Sequence, residues 1–514
     1  MNRNVIWLCA DGIRNYCSAI DNRNRLQIMD SVGKHSLYFK KVVCAAPSTL
    51  MSVSAMMTGV PAVCLARTYK AFDCQNSQFI SLAKLLEKNG YMTFSILWYP
   101  YARTYLSPIF GYMHRKHPRQ SSKDHERWDN DTINEILREH ILEKLREPFF
   151  LFILYRSEYE TNVSEKVSQG LQMLQTKGLL ENTVLVLNSD HGFPDPMWGA
   201  KLKHESVLTE DNLLTPLVIS YPGCPPHIVE ERVSAMDIMP TILDLLNLGI
   251  EPFLPDLGVR SSLLSLVNHQ PYEGAIRTDS RFICQEFRTV VLQAHNLKYI
   301  NWIDTPKEEL YDLAADPSET HNLADSRDHE EQIAAFRKDI SLSEAAIVTI
   351  HAGVLKDRLE RLLPTGCQTV AVLGCISKKF AKVLVLVFQR LGIKTLLMSQ
   401  NQNPYLAELA AETYTKGLIR TLTEAACDDQ KVDAALVIPD ENPILSYRLR
   451  RMAFSLQAKR THFVGYNLET KGIPQFWLIP LIGLVAQEGL KVLKTPKVAF
   501  RSILRFIRKS RIYQ

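Results

Sequence analysis

Three short runs hold side chains that could do chemistry together. Ser189-Asp190-His191-Gly192 follows a β-branched and apolar run at 183–187, which reads as a fully buried strand. An Asp beside a His at a strand's carboxyl end offers a hard oxygen and a borderline nitrogen to one divalent cation. Gly192 lets the backbone turn sharply there. The same residues also fit a capping Asp and a turn His. Residues 4–10 form a second buried run that delivers Asp11-Gly12 in the same manner, although Asp-Gly is also an ordinary turn pair. In the third run, 46–59, small and hydroxyl residues lead into an apolar helical pattern closed by Gly59. Thr49 then stands at or just before a helix N-terminus, where unpaired N–H groups and the dipole favour an anion. The plainer role for Ser48 or Thr49 is that of an N-cap.

The elements that must position these residues alternate. An amphipathic helix at 79–90 precedes a strand at 93–98, a helix is expected at 133–144, a buried strand at 149–155, and a helix at 163–176 runs into the Asp190 strand. A strand at 213–221 and a helix at 237–246 follow, then late strands or turns at 298–301 and 309–313. Apolar strands alternating with helices predict an α/β fold, a mostly parallel sheet covered by helices on both faces. The polar, basic and aromatic stretch 101–131, with His114, His117 and His125, reads as a long surface loop that could border a site. The chain has 514 residues, enough for two or three domains. The expected division is a large domain over 1–330, a helical connector over 331–364, a smaller C-terminal α/β domain over 365–480 and a basic tail over 481–514. In the second domain Gly374 follows the first strand, but no G-x-G-x-x-G occurs, so a dinucleotide fingerprint is unsupported.

The motifs in this order resemble the sulfatase and alkaline-phosphatase superfamily over roughly 3–330. The resemblance rests on Asp11-Gly12, on 81–91, 182–192 and 215–223, on 233–241 and on 309–323. It implies an alkaline-phosphatase-like sheet and one divalent metal ion, Zn, Mn, Ca or Mg, held by Asp11, Asp190 and His191. The family's nucleophile lies nine residues before a Thr-Gly pair, and counting back from Thr58-Gly59 reaches Thr49, which also joins the metal set. Sulfatases place there the cysteine of C-x-P-x-R, oxidised to formylglycine; no C-x-P-x-R occurs here. Threonine cannot become a hydrated aldehyde, so what the resemblance leaves is phosphoryl transfer through Thr49 on a phosphate ester. By the same resemblance His204 matches a family histidine near the second metal or the anion, and Lys203 or Lys201 would clamp that anion. After the 149–153 strand, where relatives carry a histidine, an aspartate and a histidine, this chain has Leu154, Ser157 and Tyr159, and Val53 replaces a basic residue after the nucleophile. One metal is therefore expected rather than two. Two other functions stay open: a sulfuric ester hydrolase using unmodified threonine, and an inactive binding protein on the sulfatase fold.

Composition narrows the partners. The net charge of +5 is small for this length and gives no case for nucleic acid. The ten cysteines form no C-x-x-C pair and read as buried reduced thiols, and no signal segment precedes the first strand, so a cytoplasmic protein is expected. The stretch 491–514 carries eight Lys or Arg and no acid, interleaved with apolar residues. Such a basic amphipathic segment suits peripheral contact with the inner membrane face. The expected substrate is a phosphorylated or sulfated carbohydrate or lipid-linked ester. The oligomeric state is not legible.

Overall fold

The computed structural model describes residues 3–13, 27–65, 79–99, most of 103–114, 127–157, 162–193, 207–249 and, apart from short gaps, 261–362; beyond these it describes five further strands. The chain divides into two compact units, Met1–Ile350 and His351–Gln514.

The first unit is built on eight strands: β1 (Asn4–Ala10), β2 (Leu37–Val43), β3 (Met92–Leu97), β4 (Tyr112–Met113), β5 (Phe149–Tyr155), β6 (Thr183–Ser189), β7 (Leu214–Ser220) and β8 (His227–Ser234). They lie in the order β4-β3-β5-β1-β6-β7-β2-β8. Only β7 runs against its neighbours, pairing antiparallel with β6 and β2, so the sheet is mostly parallel, as expected. Every residue of β1, β5 and β6 is buried, which is why these runs are continuously apolar instead of alternating. Trp7, Phe149, Phe150 and Phe152 are fully buried among them, and each such side chain contributes about 1.5–3 kcal/mol. The flanking helix Val163–Thr176 buries Val163, Val167, Gly170 and Leu174 along one stripe.

Register is what matters for function. Ala10 lies opposite both Tyr155 of β5 and Ser189 of β6, so three adjacent strands finish level and release Asp11, Arg156 and Asp190 side by side. In an open α/β sheet this carboxyl edge is where ligands bind.

The late strands form a second sheet, wholly antiparallel: β9 (Ile276–Arg281), β10 (Arg288–Ala294), β11 (Leu297–Trp302) and β12 (Glu308–Asp312), in the order β12-β11-β10-β9. The helix Glu330–Leu362 lays Ile333, Phe336 and Ile340 on its Val290, Leu292, Tyr299 and Leu310. Tyr299 and Phe336 stack with ring centroids 5.3 Å apart. The first stretch of the polar segment expected to connect domains is thereby packed on the first unit.

One expectation is overturned. The described part of 101–131 is not surface loop: Leu106, Phe110 and Trp128 belong to the core, and Arg103 and His114 are buried with them. Arg103 donates to the carbonyls of Leu97 and Trp98 and lies 3.9 Å from the centre of the Trp128 ring. A polar residue can be buried here because its guanidinium is met by backbone carbonyls and an aromatic face. The helix expected at 133–144 is broken into α (Asn130–Ile136), π (Leu137–Ile141) and 3-10 (Leu142–Lys144) turns.

In the second unit β13 (Thr369–Gly374), β14 (Lys394–Ser399), β15 (Ile419–Thr421), β16 (Ala434–Ile438) and β17 (Arg460–Phe463) form an all-parallel sheet in the order β15-β14-β13-β16-β17. Numbered within the unit this is 3-2-1-4-5, the doubly wound order. The expected tail, 481–514, lies outside the described residues. No helix among the described residues is long and apolar enough to cross a membrane.

Candidate metal centre

Asp11, Asp190 and His191 converge at the carboxyl edge of the large sheet. One ligand atom from each lies within 4.8 Å of the other two, and all three residues are buried. His191 Nε2 is 3.6 Å from Asp11 Oδ1 and 3.7 Å from Asp190 Oδ2. Each carboxylate arrives by a strand end. The amide of Asp11 still donates to the Tyr155 carbonyl of the neighbouring strand, 2.9 Å away, and Gly12, with φ +69°, then turns the chain out of the sheet. Asp190 Oδ1 accepts from the amides of Gly12 and His191, at 3.0 and 2.9 Å. Its Oδ2 is buried and, among the described residues, has no hydrogen-bond partner.

That buried, unpartnered carboxylate oxygen is the best test of whether a cation fits. Leaving an ionised oxygen dry and unpaired costs several kcal/mol, a cost that a divalent ion between the two carboxylates and the imidazole removes. The imidazole is already arranged for it. Nδ1 faces the Gly192 carbonyl at 2.7 Å, which assigns the proton to Nδ1 and turns the Nε2 lone pair toward the carboxylates. The donor set, two oxygens and one nitrogen, suits Zn, Mn, Mg or Ca without selecting among them.

The helix Thr49–Thr58 brings the fourth group. Ser48 is its N-cap residue, in extended conformation with no side-chain cap, and Gly59 closes it at φ 67°. Thr49 is therefore the first helical residue, beside N–H groups that have no acceptor within the helix. Its Oγ1 lies 3.3 Å from Asp11 Oδ2 and 3.3 Å from His191 Nε2. One turn on, Ser52 Oγ donates to the Asp190 carbonyl at 2.5 Å, which pins the helix to the end of β6 and fixes Thr49 against the carboxylates.

The negative field of the pair reaches the thiols around it. Burial first, then the charges of Asp190 and Asp11, push the Cys9 thiol well up. Cys44 is pushed up by burial and then by Asp190. Both are buried free thiols, and neither is in a state to act as a nucleophile.

The structure thus brings Asp11, Thr49, Asp190 and His191 together. Lys201, Lys203 and His204, as well as Tyr159, His117 and His125, lie outside the described residues. His114 is buried and stacks on His140, centroids 5.2 Å apart, and its ring centre is 6.1 Å from that of Trp128. Leu154 and Val53 are fully buried in the core and Ser157 is nearly so. Gly192 is required for a different reason from the one expected. Its φ is not left-handed; a Cβ there would stand 2.4 Å from the Asp211 carbonyl oxygen. The glycine permits two backbones to touch, and its amide donates to Asn212 O at 2.9 Å.

Residue reading passed over Trp98. It directly follows β3, its Nε1 donates to Asp11 Oδ2 at 2.9 Å, and it orients that carboxylate. Its place at the end of an apolar run was the available signal.

Comparison with known proteins bears on the fold. The Sulfatase family matches residues 3–168 and 160–248. A choline-sulfatase of Rhizobium meliloti (strain 1021) is 31% identical over 182 residues, which are 33% of this chain and 33% of that protein. The chain therefore aligns with only about a third of that relative's length. Among solved structures, a protein in complex with its substrate D-glucosamine-2-N,6-O-disulfate superposes at a TM-score of 0.55 with 14% identity, covering 68% of this chain and 98% of that one. A phosphonate monoester hydrolase of Agrobacterium radiobacter superposes at 0.53 with 16% identity, covering 67% and 96%. These two likenesses are of fold. The family match spans the strand ends and the helix that carry Asp11, Thr49, Asp190 and His191, so the region 3–248 is similar to the Sulfatase family.

Proposed function

We propose that this protein is a divalent-metal-dependent ester hydrolase or transferase that uses the Thr49 hydroxyl as its nucleophile, with a phosphate ester as substrate. The observation that carries the reading is the position of Thr49 Oγ1, 3.3 Å from both Asp11 Oδ2 and His191 Nε2 at the start of a ten-residue helix. Asp11, Asp190 and His191 would hold the ion, with Thr49 as a further ligand; when bound, it supplies Lewis acidity toward the hydroxyl and the ester oxygen.

The chain's own groups do the rest. Trp98 fixes Asp11, and the Gly192 carbonyl fixes the His191 ring. Asp11 Oδ2 accepts the Thr49 hydroxyl hydrogen in the resting geometry and is placed to receive its proton as Oγ1 attacks the ester phosphorus. The bond from phosphorus to the leaving oxygen breaks as the Thr49 Oγ1–P bond forms and the leaving alkoxide takes a proton from water; water or an acceptor hydroxyl then attacks the phosphorus, releasing the phosphate or the new ester, and Thr49 Oγ1 takes back the proton held on Asp11. Charge developing on the phosphoryl oxygens faces the first-turn N–H groups of the Thr49 helix. His204 and Lys203 are proposed, from the sequence alone, to meet the same charge.

A sulfuric ester substrate is the second reading, favoured by the choline-sulfatase among the relatives. A carbohydrate or lipid-linked ester is the proposed substrate class, and residues 491–514 are proposed to touch a membrane surface from the cytoplasmic side; both rest on the sequence. The test is turnover of bis-p-nitrophenyl phosphate and p-nitrophenyl sulfate by metal-loaded protein, with and without Thr49→Ala. Metal-dependent turnover of the diester, lost in the variant by a factor on the order of 10³ or more, is expected. Preference for the sulfate selects the second reading, and equal activity in the two proteins removes Thr49 from the mechanism.

A further inference from the structure

Successive residues of a strand point to opposite sides of its sheet, and the antiparallel sheet uses its two sides differently. Val290, Leu292, Tyr299 and Leu310 meet the helix Glu330–Leu362. Val291 and Ile300 pack instead on Cys44 and Leu213. Lys298, two residues before Ile300 on β11, belongs to this second side, and it is fully buried.

The buried ammonium is enclosed by charge. Its Nζ lies 2.6 Å from Glu319 Oε2 and 3.3 Å from Glu210 Oε1, and it also donates to the Leu208 carbonyl. Glu210 is paired in turn with Arg232 and accepts from Gln293 Nε2 at 2.9 Å, while Glu319 Oε1 accepts from the Glu210 amide at 2.8 Å. Two cations and two carboxylates thus balance. Such a cluster adds little net stability, because removing its charges from water offsets their attraction. What it fixes is position, since every charge must find its partners in one geometry.

The thing positioned is the segment 208–213, which ends in the short helix Glu210–Leu213. The cluster grips its backbone at the Leu208 carbonyl and the Glu210 amide. Further along, the Asn212 carbonyl accepts from the Gly192 amide at 2.9 Å and the Leu213 carbonyl from the Cys44 amide at 2.8 Å. The Gly192 carbonyl is the group that holds His191 Nδ1, at 2.7 Å. Cys44 and Ala45 lead toward Ser48 and Thr49, and β9 holds them as well: Thr278 Oγ1 donates to the Cys44 carbonyl at 2.6 Å and the Asp279 amide to the Ala45 carbonyl at 3.0 Å. One buttress therefore stands behind both arms of the centre.

We infer that Lys298, together with Glu210 and Glu319, is a positioning residue for the metal centre: it sets the 208–213 segment from which the Gly192 turn aims His191 Nε2 at Asp11 and Asp190. This rests on reading Asp11, Asp190 and His191 as metal ligands. Lys298 acts only through 208–213 and Gly192.

The experiment uses the full-length protein and Mn(II) alone. The double variant Lys298→Met, Glu319→Gln removes one charge of each sign and keeps an acceptor for the Glu210 amide, so the remaining pair of Glu210 and Arg232 stays balanced. Its Mn(II) affinity, measured by calorimetry, is expected to fall about tenfold, and its Gly192 amide to exchange hydrogen faster. Phe336→Leu on the opposite side of the same sheet serves as the stability control. It is expected to lower the melting temperature while leaving Mn(II) affinity within about twofold, because it shares no partner with the cluster. Unchanged affinity in the double variant, or an equal loss in both variants, overturns the inference. Should the double variant not fold, Glu319→Gln alone, which leaves Lys298 beside Glu210, carries the same comparison. If the unaltered protein takes up no Mn(II), the metal-centre reading fails, and the positioning is decided by exchange of the Gly192 amide. Faster exchange in the double variant and not in Phe336→Leu supports it; the same exchange in both overturns it.

Discussion

The two parallel sheets of this protein share an architecture and differ at their strand ends. In the first unit β1, β5 and β6 finish level and are followed at once by Asp11, Arg156 and Asp190. In the second unit β13, β14, β15, β16 and β17 end on Gly374, Ser399, Thr421, Ile438 and Phe463 and are followed by Cys375, Gln400, Leu422, Pro439 and Val464. None of those ten residues is charged. Both sheets are wound in the way that opens a crevice at the carboxyl edge, but charged residues directly follow described strands in the first and not in the second. The winding provides a place for a site, and the residue after each strand decides what the site can do.

That contrast can be broken at several points. The largest effect is expected from Asp190→Asn. The unaltered protein should gain about 2.7 kcal/mol from a divalent ion supplied at a hundred times its dissociation constant. The variant should gain almost nothing and turn over no ester, while its metal-free form is at least as stable as the unaltered one, because the buried charge next to the partnerless Oδ2 has been removed. Thermal melts with and without metal read both. A metal response that survives in the variant would place the ion elsewhere.

Gly192→Ala comes next. A Cβ 2.4 Å from the Asp211 carbonyl oxygen forces two backbone segments apart, at a cost of about 1–3 kcal/mol, visible as a lower urea midpoint. An unchanged midpoint would mean that the β6 turn is soft, and a soft turn could not aim His191. Trp98→Phe removes one hydrogen bond to Asp11, and metal affinity measured by calorimetry should fall about tenfold. The smallest effect belongs to the other sheet: Ser399→Ala at the end of β14 should leave metal affinity and turnover within about twofold, the spread expected of a site with no part in them. A larger loss would show that the second sheet takes part.

Much of this was legible from residues because the informative runs are local. Strand, turn and ligand at 4–12 and 183–192, and cap, helix and glycine at 48–59, each lie within a dozen residues, so periodicity and turn chemistry could be read together. What escaped was non-local. β9 and β10 are held by pairing and by the later helix Glu330–Leu362, and their own sequences, Ile276–Arg281 and Arg288–Ala294, mix charge with apolar residues. The 101–131 stretch looked solvated because Arg103 and His114 are polar, yet both are buried with partners supplied from elsewhere in the fold. Trp98 became meaningful only when the strand order β3-β5-β1-β6 set it beside Asp11. Gly192 was picked out correctly for the wrong cause, since close backbone approach leaves no trace in local sequence.

The central claim, that Thr49 is the nucleophile beside an Asp11, Asp190 and His191 metal centre, is tested most directly by trapping the intermediate. Metal-loaded protein is quenched in acid during turnover and its peptides are analysed by mass spectrometry. The account predicts a phosphoryl or sulfuryl group on Thr49, absent from metal-free protein and from Asp190→Asn. Steady turnover with the group on another residue, or with an unmodified Thr49 peptide under conditions that trap the intermediate of a known phosphoryl-enzyme, would contradict it.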